Sequence, residues 1–360
     1  MKHRLAFALA CAVTPAAGGG LDQSGQPVTL LFRDGNVAEV AVTGWRPTVE
    51  GRGPGGAGSG NVYGSITDAF AGVKGDVTDR LSAALIVDQP YGVNVDYPSG
   101  DFPYAGTAAD PDSLALTGLL RWRLGHGLAL HGGLRAERIG AEVALGGTAY
   151  GPLAGYTWTG DDDWGVGWVA GASWERPEIG LRIALTYGSE IRHSLEGEEN
   201  FFGPSTTEVT MPQSVNLDLQ TALDPRTLVY GSVRWVDWNG WTVAPPGLDA
   251  VAGPLITFES DAWTYRIGVG RQLTETVSAG FEVAHETPID TMMSPLSPYD
   301  GFTAISVGSS WTLPSGVTLT GSIAYQFLGD AEVATPIHPE PVEFSDNRAV
   351  AARLGLGISF

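Results

Sequence analysis

The C-terminal segment of this chain alternates between two kinds of side chain and stops on a phenylalanine. One face carries the apolar residues Leu354, Leu356, Ile358 and Phe360, and the other carries Arg353, Gly355, Gly357 and Ser359. Because side chains alternate across a strand, residues 342–360 predict one long strand with an apolar and a polar face. An apolar outward face and a polar inward face are typical of a strand in a membrane barrel.

The same alternation recurs along the whole chain. The strand-like segments are 36–50, 61–75, 80–96, 112–124, 127–147, 164–176, 180–195, 206–222, 226–243, 255–272, 276–288, 301–313, 316–329 and 342–360. No apolar run approaches the length of a transmembrane helix, so a membrane protein of this sequence would have to close a barrel.

The connections between these segments alternate in length. Short turns lie at 75–79, 125–126, 176–180, 224–226, 272–276 and 313–316, and the longer connections lie at 51–60, 97–111, 148–163, 196–205, 244–254, 289–300 and 330–341. Outer-membrane barrels have short periplasmic turns and long extracellular loops. A soluble β-sandwich is the alternative, but it would not sort its loops into two such sets. We therefore predict an all-β fold: a transmembrane antiparallel barrel of about 14 strands over residues 36–360.

The N-terminus has the pattern of a secretory signal peptide over residues 1–17. Lys2 and Arg4 precede an apolar run over residues 5–13, and small residues follow it. Such a segment directs export and is removed near Ala17. The only cysteine, Cys11, lies inside it, so the mature chain is expected to have no thiol chemistry.

The charge of the chain limits its partners. The net charge is −20, and Lys2 and Lys74 are the only lysines, so nucleic-acid binding is excluded because it requires a basic surface. Acidic loops are expected either to be simply solvated or to share divalent ions with anionic membrane lipids. Asp161–Asp163 lacks the spaced ligands and the glycine of a calcium loop, so we predict a solvated loop tip, with no metal site and no cofactor.

Residues 18–35 do not fit the strand pattern. They comprise a glycine-rich stretch followed by apolar residues that include Leu30 and Phe32. A barrel of this width leaves room inside, so we predict that the segment forms a short N-terminal plug in the lumen. The alternative is a frayed periplasmic tail.

The third strand contains a proline where a ladder hydrogen bond is expected. Proline has no N–H to donate, and a closed barrel offers no free edge, so Pro90, Tyr91 and Gly92 predict a lateral gap in the wall. The alternative is that the strand has already left the membrane at this point and begins a loop.

Several charged residues fall on the inward face of the predicted strands. Arg135, Arg182 and Arg234 could grip a carboxylate through paired hydrogen bonds, and with Leu30 and Phe32 they are our candidate substrate-binding residues. The other interpretation is that these arginines pair with acidic residues across the lumen. Clustered aromatic residues, among them Trp238 and Trp241, are expected to anchor the membrane interface or to line a hydrophobic landing site.

Together these features resemble the FadL/TodX-type family of outer-membrane transporters for long-chain fatty acids and other hydrophobic compounds. The resemblance is carried by Gly19–Gln26, Leu31–Asn36, Asp88–Gly92, Ser214–Leu217 and the terminal strand ending in Phe360. It implies a bacterial outer-membrane protein that takes up hydrophobic compounds passively, most of all long-chain fatty acids. A lumen site, a plug rearrangement and a kink in the third strand would then release the ligand, partly sideways.

The partners that follow are a fatty acid or an aromatic hydrocarbon, outer-membrane lipids and the barrel assembly machinery. Two other functions are a general porin and an outer-membrane barrel hydrolase. A hydrolase would need a serine and a base within hydrogen-bonding reach, yet the histidines are scattered, with His285 best placed near the outer rim. We therefore predict that the protein has no catalytic residues.

Overall fold

The computed structural model describes residues 21–288, 292–335, 338 and 340–360. The predicted signal peptide, Cys11 and the first three residues of the predicted plug lie outside this range.

The chain is built mainly from long antiparallel strands. The barrel strands are β1 Val37–Thr48, β2 Ile66–Asp76, β3 Leu81–Asp88, β4 Asp112–Gly125, β5 Leu128–Leu145, β6 Tyr156–Arg176, β7 Leu181–Gly188 continuing as Ile191–Glu199, β8 Gly203–Met211 continuing as Ser214–Asp224, β9 Thr227–Val236, β10 Ala262–Gln272, β11 Val277–Glu286, β12 Phe302–Thr312, β13 Val317–Leu328 and β14 Arg348–Ser359.

These strands close on themselves. Each pairs antiparallel with its neighbour in sequence, and β1 also pairs with β14, from Val37 opposite Ser359 to Thr48 opposite Arg348. The closed antiparallel barrel of 14 strands confirms the predicted fold. Closure gives every wall strand a neighbour on both sides, which a strand protein needs in a bilayer.

The two ends of the barrel differ as the connection lengths predict. The short turns at one end include the 3₁₀ turn Pro177–Ile179, and the long loops emerge at the other end. Both ends of the barrel chain lie at the short-turn end, where the Phe360 amide donates to the Asn36 carbonyl at 3.1 Å. An even number of strands requires this arrangement.

The alternation of β14 orients its side chains as predicted. Leu354 is 72% exposed on the outer surface, whereas Arg353 donates to the Thr43 hydroxyl at 3.1 Å and passes over the ring of Phe70. An apolar outer surface suits lipid and a polar inner surface suits the lumen. The same alternation directs the polar side chains of the site described below into the lumen.

The predicted loops 148–163 and 196–205 are wrong in part, because β6, β7 and β8 extend beyond the barrel wall into these ranges. Residues 156–163 belong to β6, so Asp161–Asp163 lies in a strand rather than at a loop tip. A β-bulge between Gly160 and Asp163 inserts extra residues into this strand. The bulge changes which face later residues occupy: Trp158 is buried inside, whereas Trp164 is 56% exposed outside.

The long loops fold inward over the open end. They contain a four-stranded sheet of Glu50–Arg52, Gly58–Asn61, Ala331–Val333 and Val342–Phe344, the pairs Val95–Asp96 with Ala108–Ala109 and Thr242–Val243 with Ile256–Thr257, the helix α1 Pro246–Ala252, and the 3₁₀ turns Pro54–Gly56 and Thr148–Leu153. Their apolar side chains form one large buried cluster. None of the helices in the described residues has the length and hydropathy to cross a bilayer.

Candidate functional site

Residues 21–33, which we call the inner segment, run along the inside of the barrel wall. The Gln23 amide donates to the Pro90 carbonyl at 2.7 Å, and the Gly92 amide donates to the Leu21 carbonyl at 3.0 Å. The Gln23 side chain also donates to the Gly92 carbonyl at 2.7 Å. The inner segment is therefore paired, as a short strand, with the residues predicted to kink β3.

An ion pair ties the inner segment to the opposite side of the barrel. Nε of Arg234 donates to the Asp22 carboxylate at 2.7 Å, and both side chains are almost fully buried. Arg234 also donates to the Asn216 side chain at 2.9 Å, and Asn216 donates to the Gly25 carbonyl at 3.2 Å. Contacts from β8 and β9 thus meet a segment that is also paired with β3, which requires the segment to lie inside.

A second arginine holds the next residues of the inner segment. Arg135 donates to the Gln26 side-chain oxygen at 2.5 Å and to the Thr117 hydroxyl at 3.0 Å. The Gln26 amide group donates in turn to the Tyr91 hydroxyl at 2.9 Å. The Ser24 hydroxyl donates to the Asp88 carboxylate at 2.5 Å. Every side chain from Asp22 to Gln26 that can hydrogen bond therefore reaches the wall or its own segment.

The apolar half of the inner segment fills the lumen toward the short-turn end. The 3₁₀ turn Thr29–Phe32 buries Leu30, Leu31 and Phe32. The Phe32 ring lies 4.8 Å from the Arg121 guanidinium and 5.0 Å from that of Arg182, and contacts His131 edge-on. A cation over the face of an aromatic ring is attracted to that ring, so cation–π attraction stabilises this turn in addition to the burial of its apolar side chains.

The wall is open on one side of β2, next to Pro90–Gly92, which follow the end of β3 and which we call the kink. Main-chain pairing of β2 with β3 runs only from Ala71 to Asp76, and the five residues before Ala71 pair with β1 alone. At about 3.3 Å per residue the unpaired stretch is roughly 16 Å long. The Gln89 side-chain oxygen accepts a hydrogen bond from the Ala69 amide at 2.8 Å, so this side chain covers part of the unpaired stretch.

An aromatic cluster of four rings lies on the loop side of the kink. We call Tyr91, Trp238, Trp241 and Phe258 the aromatic quartet. The Trp238 ring centroid is 6.0 Å from that of Tyr91, 5.1 Å from Trp241 and 5.4 Å from Phe258, and Trp241 stacks on Phe258 at 5.3 Å. Trp238 is fully buried, so the expectation that it anchors the membrane interface is wrong for this residue.

A buried acidic group without a hydrogen bond lies on the same strand as Arg135. Neither oxygen of Glu137 has a hydrogen-bond partner among the described residues, and Nε2 of His193 lies 3.5 Å from one of them. The other ring nitrogen of His193 lies 3.2 Å from the Asp163 carboxylate. The His193 ring therefore lies between two carboxyl groups.

The predicted site residues lie together along the inner segment. Arg135 and Arg234 anchor it, Arg182 contacts Phe32, and Leu30 lies against Phe70 above Gly72. Pro90, Tyr91 and Gly92 form the pairing surface for residues 21–23. Their role in binding or release stays a prediction. His285, the candidate of the hydrolase hypothesis, lies on an exposed part of β11 beside the Thr303 hydroxyl.

The sequence reasoning missed two parts of the site. Phe258 was placed in the predicted strand 255–272, but it lies in a long loop between the two-residue strand Ile256–Thr257 and β10. Asp22 was within the predicted plug, but its partner Arg234 is 212 residues away, and no local pattern connects them. Asp22 is the only charged residue from 18 to 32, and this was the available signal, since a charge that enters a lumen and becomes buried needs a partner.

A family model agrees with this architecture. The model described as "Outer membrane protein transport protein (OMPP1/FadL/TodX)" matches residues 37–354. That span includes the barrel strands from β1 through the first half of β14. The comparison with curated protein sequences found no match.

Solved structures share the fold. A FadL homologue of Pseudomonas aeruginosa has a TM-score of 0.75 and 14% identity, covering 97% of this chain and 98% of that one. The toluene transporter TodX of Pseudomonas putida has a TM-score of 0.67 and 12% identity, with 93% and 92% covered. The toluene transporter TbuX of Ralstonia pickettii has a TM-score of 0.64 and 11% identity, with 96% and 92% covered. At such identities the similarity shows a common fold.

Proposed function

Because this chain belongs to the OMPP1/FadL/TodX family of outer membrane transport proteins, we propose that it takes up small hydrophobic molecules passively and releases them sideways through its wall. One observation carries the proposal. The apolar interior on the extracellular side reaches the kink through Tyr91, at the point where residues 66–70 of β2 have no main-chain partner on the β3 side. A hydrophobic molecule that reaches Tyr91 is therefore next to the gap.

The straight route to the periplasm is filled. Below the kink, the Thr29–Phe32 turn is packed in the lumen between the guanidinium groups of Arg121 and Arg182. An apolar molecule passing there would have to displace Phe32, and both arginines would then lose their contact with the Phe32 ring. This filled lumen also argues against a general aqueous porin.

The arginines nearest the kink are already occupied, which favours an uncharged aromatic or aliphatic ligand. Arg234 holds Asp22, and Arg135 holds Gln26. The second candidate is the long-chain fatty acid. Its carboxylate has the same chemistry as Asp22, so it could replace Asp22 on Arg234 and release the inner segment at the same time.

Uptake by intact cells tests the proposed route. A host that lacks its own transporters of this kind would express the protein, and entry of radiolabelled toluene and oleate would be compared. The double substitution Pro90→Val and Gly92→Val favours a continuous third strand. It also adds a side chain at Gly92, where a Cβ would lie 2.8 Å from the side-chain nitrogen of Gln23. We expect uptake of the preferred ligand to fall at least tenfold.

The matched control is Pro98→Val, which alters an exposed proline in the same loop and should leave uptake at the wild-type rate. Unchanged uptake by the double variant would overturn lateral release. Large steady currents through the wild-type protein in planar bilayers would favour a porin instead. The ratio of toluene to oleate uptake decides between the two ligand classes.

A further inference from the structure

Two indole N–H groups of the aromatic quartet are buried and have no acceptor among the described residues. Nε1 of Trp238 and Nε1 of Trp241 make no hydrogen bond within the described part of the chain, and Trp238 is 0% exposed. Leaving a buried donor unpaired costs about 1–3 kcal/mol, and folded proteins keep few of them. Two such donors on neighbouring rings call for an explanation.

Two other indole N–H groups and the backbone next to the quartet are paired. Trp235, three residues before Trp238, donates its indole N–H to Asp261 at 2.8 Å, and Trp45 donates to Gln326 at 2.5 Å. The backbone of the loop is also satisfied: the Trp238 amide donates to Val236 at 2.9 Å, and the Trp241 amide donates to Trp238 at 2.9 Å. The missing acceptors therefore belong to these two side chains and not to a poorly formed loop.

The polar neighbour within the quartet offers no remedy. Neither indole N–H donates to the Tyr91 hydroxyl, which accepts a hydrogen bond from Gln26, and Phe258 has no acceptor beyond its ring. The remaining quartet surface is aromatic. An acceptor for Trp238 and Trp241 would have to arrive with a molecule that also tolerates contact with four rings.

We propose that Trp238 and Trp241 form a hydrogen-bonding subsite for aromatic compounds that carry an acceptor oxygen, such as aryl ketones. The inference rests on the proposed function and narrows its substrate class. Rings of the ligand pack against the quartet, and its oxygen accepts the indole N–H groups. A plain hydrocarbon makes the same ring contacts but leaves both donors unpaired, so the site discriminates in favour of the oxygenated compound.

Trp241 supplies the route by which a ligand reaches the subsite. It is partly exposed, whereas Trp238 beneath it is closed off. Trp238 also contacts Tyr91, the residue that pairs with the inner segment at the kink. An oxygenated aromatic compound bound here is therefore one ring away from the proposed exit.

Binding of two ligands of equal size tests the subsite. Acetophenone and α-methylstyrene have the same planar shape and differ in one atom group, an oxygen against a methylene. Dissociation constants would be measured by equilibrium dialysis on protein in nanodiscs, with empty nanodiscs subtracted. The informative quantity is the ratio of the two constants, because it cancels general effects on the site.

We expect Trp238→Phe to reduce the preference for acetophenone about three- to tenfold, the value of one hydrogen bond. Trp241→Phe should act in the same direction. The matched control is Trp158→Phe. This tryptophan is also buried with an unpaired N–H, but its ring lies over Gly160 beside Leu195, outside the quartet. Its replacement should leave the ratio unchanged.

A spectroscopic measurement keeps the test independent of how the variants fold. In ¹⁵N-labelled wild-type protein, acetophenone should shift the indole N–H resonances of Trp238 and Trp241 downfield, and α-methylstyrene should not. The inference is overturned if the ratio is the same in wild type and Trp238→Phe, or if acetophenone leaves both resonances in place, as it would if water occupied the donors. Binding of α-methylstyrene without any such preference removes only this inference, whereas failure of both ligands to bind or enter removes the proposed function.

Discussion

Asp22 and Arg234 form a buried ion pair at 2.7 Å that joins the inner segment to β9, across the lumen from its pairing with β3. The two side chains are 2% and 7% exposed, so neither charge is solvated if the other is withdrawn. Replacing one member leaves the other as a buried charge without a partner, and this costs more free energy than replacing both members. The ion pair therefore holds the inner segment against the kink.

Removing the Asp22–Arg234 ion pair should free the inner segment without unfolding the barrel. For Asp22→Ala we expect protease cleavage within residues 21–33 at least tenfold faster than in wild type, because an uncompensated Arg234 would draw in water. Planar-bilayer conductance should rise in parallel, since the lumen is then less filled. Heat-modifiable mobility on electrophoresis would show that the barrel itself stays folded.

The control for this experiment is an ion pair of similar length on the surface. Arg176 and Glu178 lie 2.8 Å apart in a short turn, and both are more than half exposed. Solvent screens an exposed ion pair, so Glu178→Ala should change neither cleavage nor conductance. Equal cleavage rates in Asp22→Ala and wild type would contradict the role given to the buried pair.

Glu137 and His193 should depend on each other for stability. Both are fully buried, at 3.5 Å, and the carboxylate has no hydrogen bond among the described residues. We expect His193→Ala to lower the free energy of unfolding by about 1–3 kcal/mol, because it removes the polar group nearest to a buried carboxyl group. Adding Glu137→Gln should recover about 0.5–1 kcal/mol of this loss. Urea unfolding of the wild type, the two single variants and the double variant in lipid vesicles, followed by tryptophan fluorescence, measures the coupling. If the effects of the two single substitutions simply add, the coupling is refuted.

Glu199 fixes the helix α1 above the lumen. Its two carboxylate oxygens accept the Gly247 amide at 2.9 Å and the Leu248 amide at 2.7 Å, and one also accepts the Tyr156 hydroxyl. Hydrogen bonds to a charged group contribute about 1.5–3 kcal/mol, so Glu199→Ala should speed hydrogen exchange at both amides roughly 10- to 100-fold. Glu198→Ala alters an exposed neighbour and should leave exchange unchanged. Mass-spectrometric hydrogen exchange over residues 245–253 provides the measurement.

The wall of the barrel was predictable because its rule is local. A strand in lipid must alternate, and a closed barrel must alternate its connections, so residues such as Arg353 and Leu354 reveal their faces without any knowledge of partners. The departures come where an insertion breaks the period. The bulge before Asp163 shifts the later residues of β6 by one face, and β6 begins at Tyr156, inside the predicted loop.

The candidate site was predictable only in outline. Glycine-rich and apolar residues before β1 indicated a segment inside the lumen, and Pro90 indicated a break in the ladder. The contacts that define the site are between residues far apart in sequence: Asp22 with Arg234, Gln26 with Arg135, and Tyr91 with Trp238. Which buried donor meets which acceptor depends on barrel width and strand tilt, and those quantities are set by the whole sheet.

Tyr104 makes the extracellular loops sensitive to alkaline pH. It is fully buried beside Tyr97 and Tyr150, and burial raises its pKa to about 12. An unfolded tyrosine ionises near pH 10, so its contribution to stability is complete below about pH 10 and is lost as the pH rises through about 12. In an absorbance titration at 295 nm, Tyr104→Phe should remove a step near pH 12, whereas Tyr325→Phe, on the outer surface of β13, should leave that step in place. Ionisation of Tyr104 together with the exposed tyrosines would contradict its burial beneath the loops.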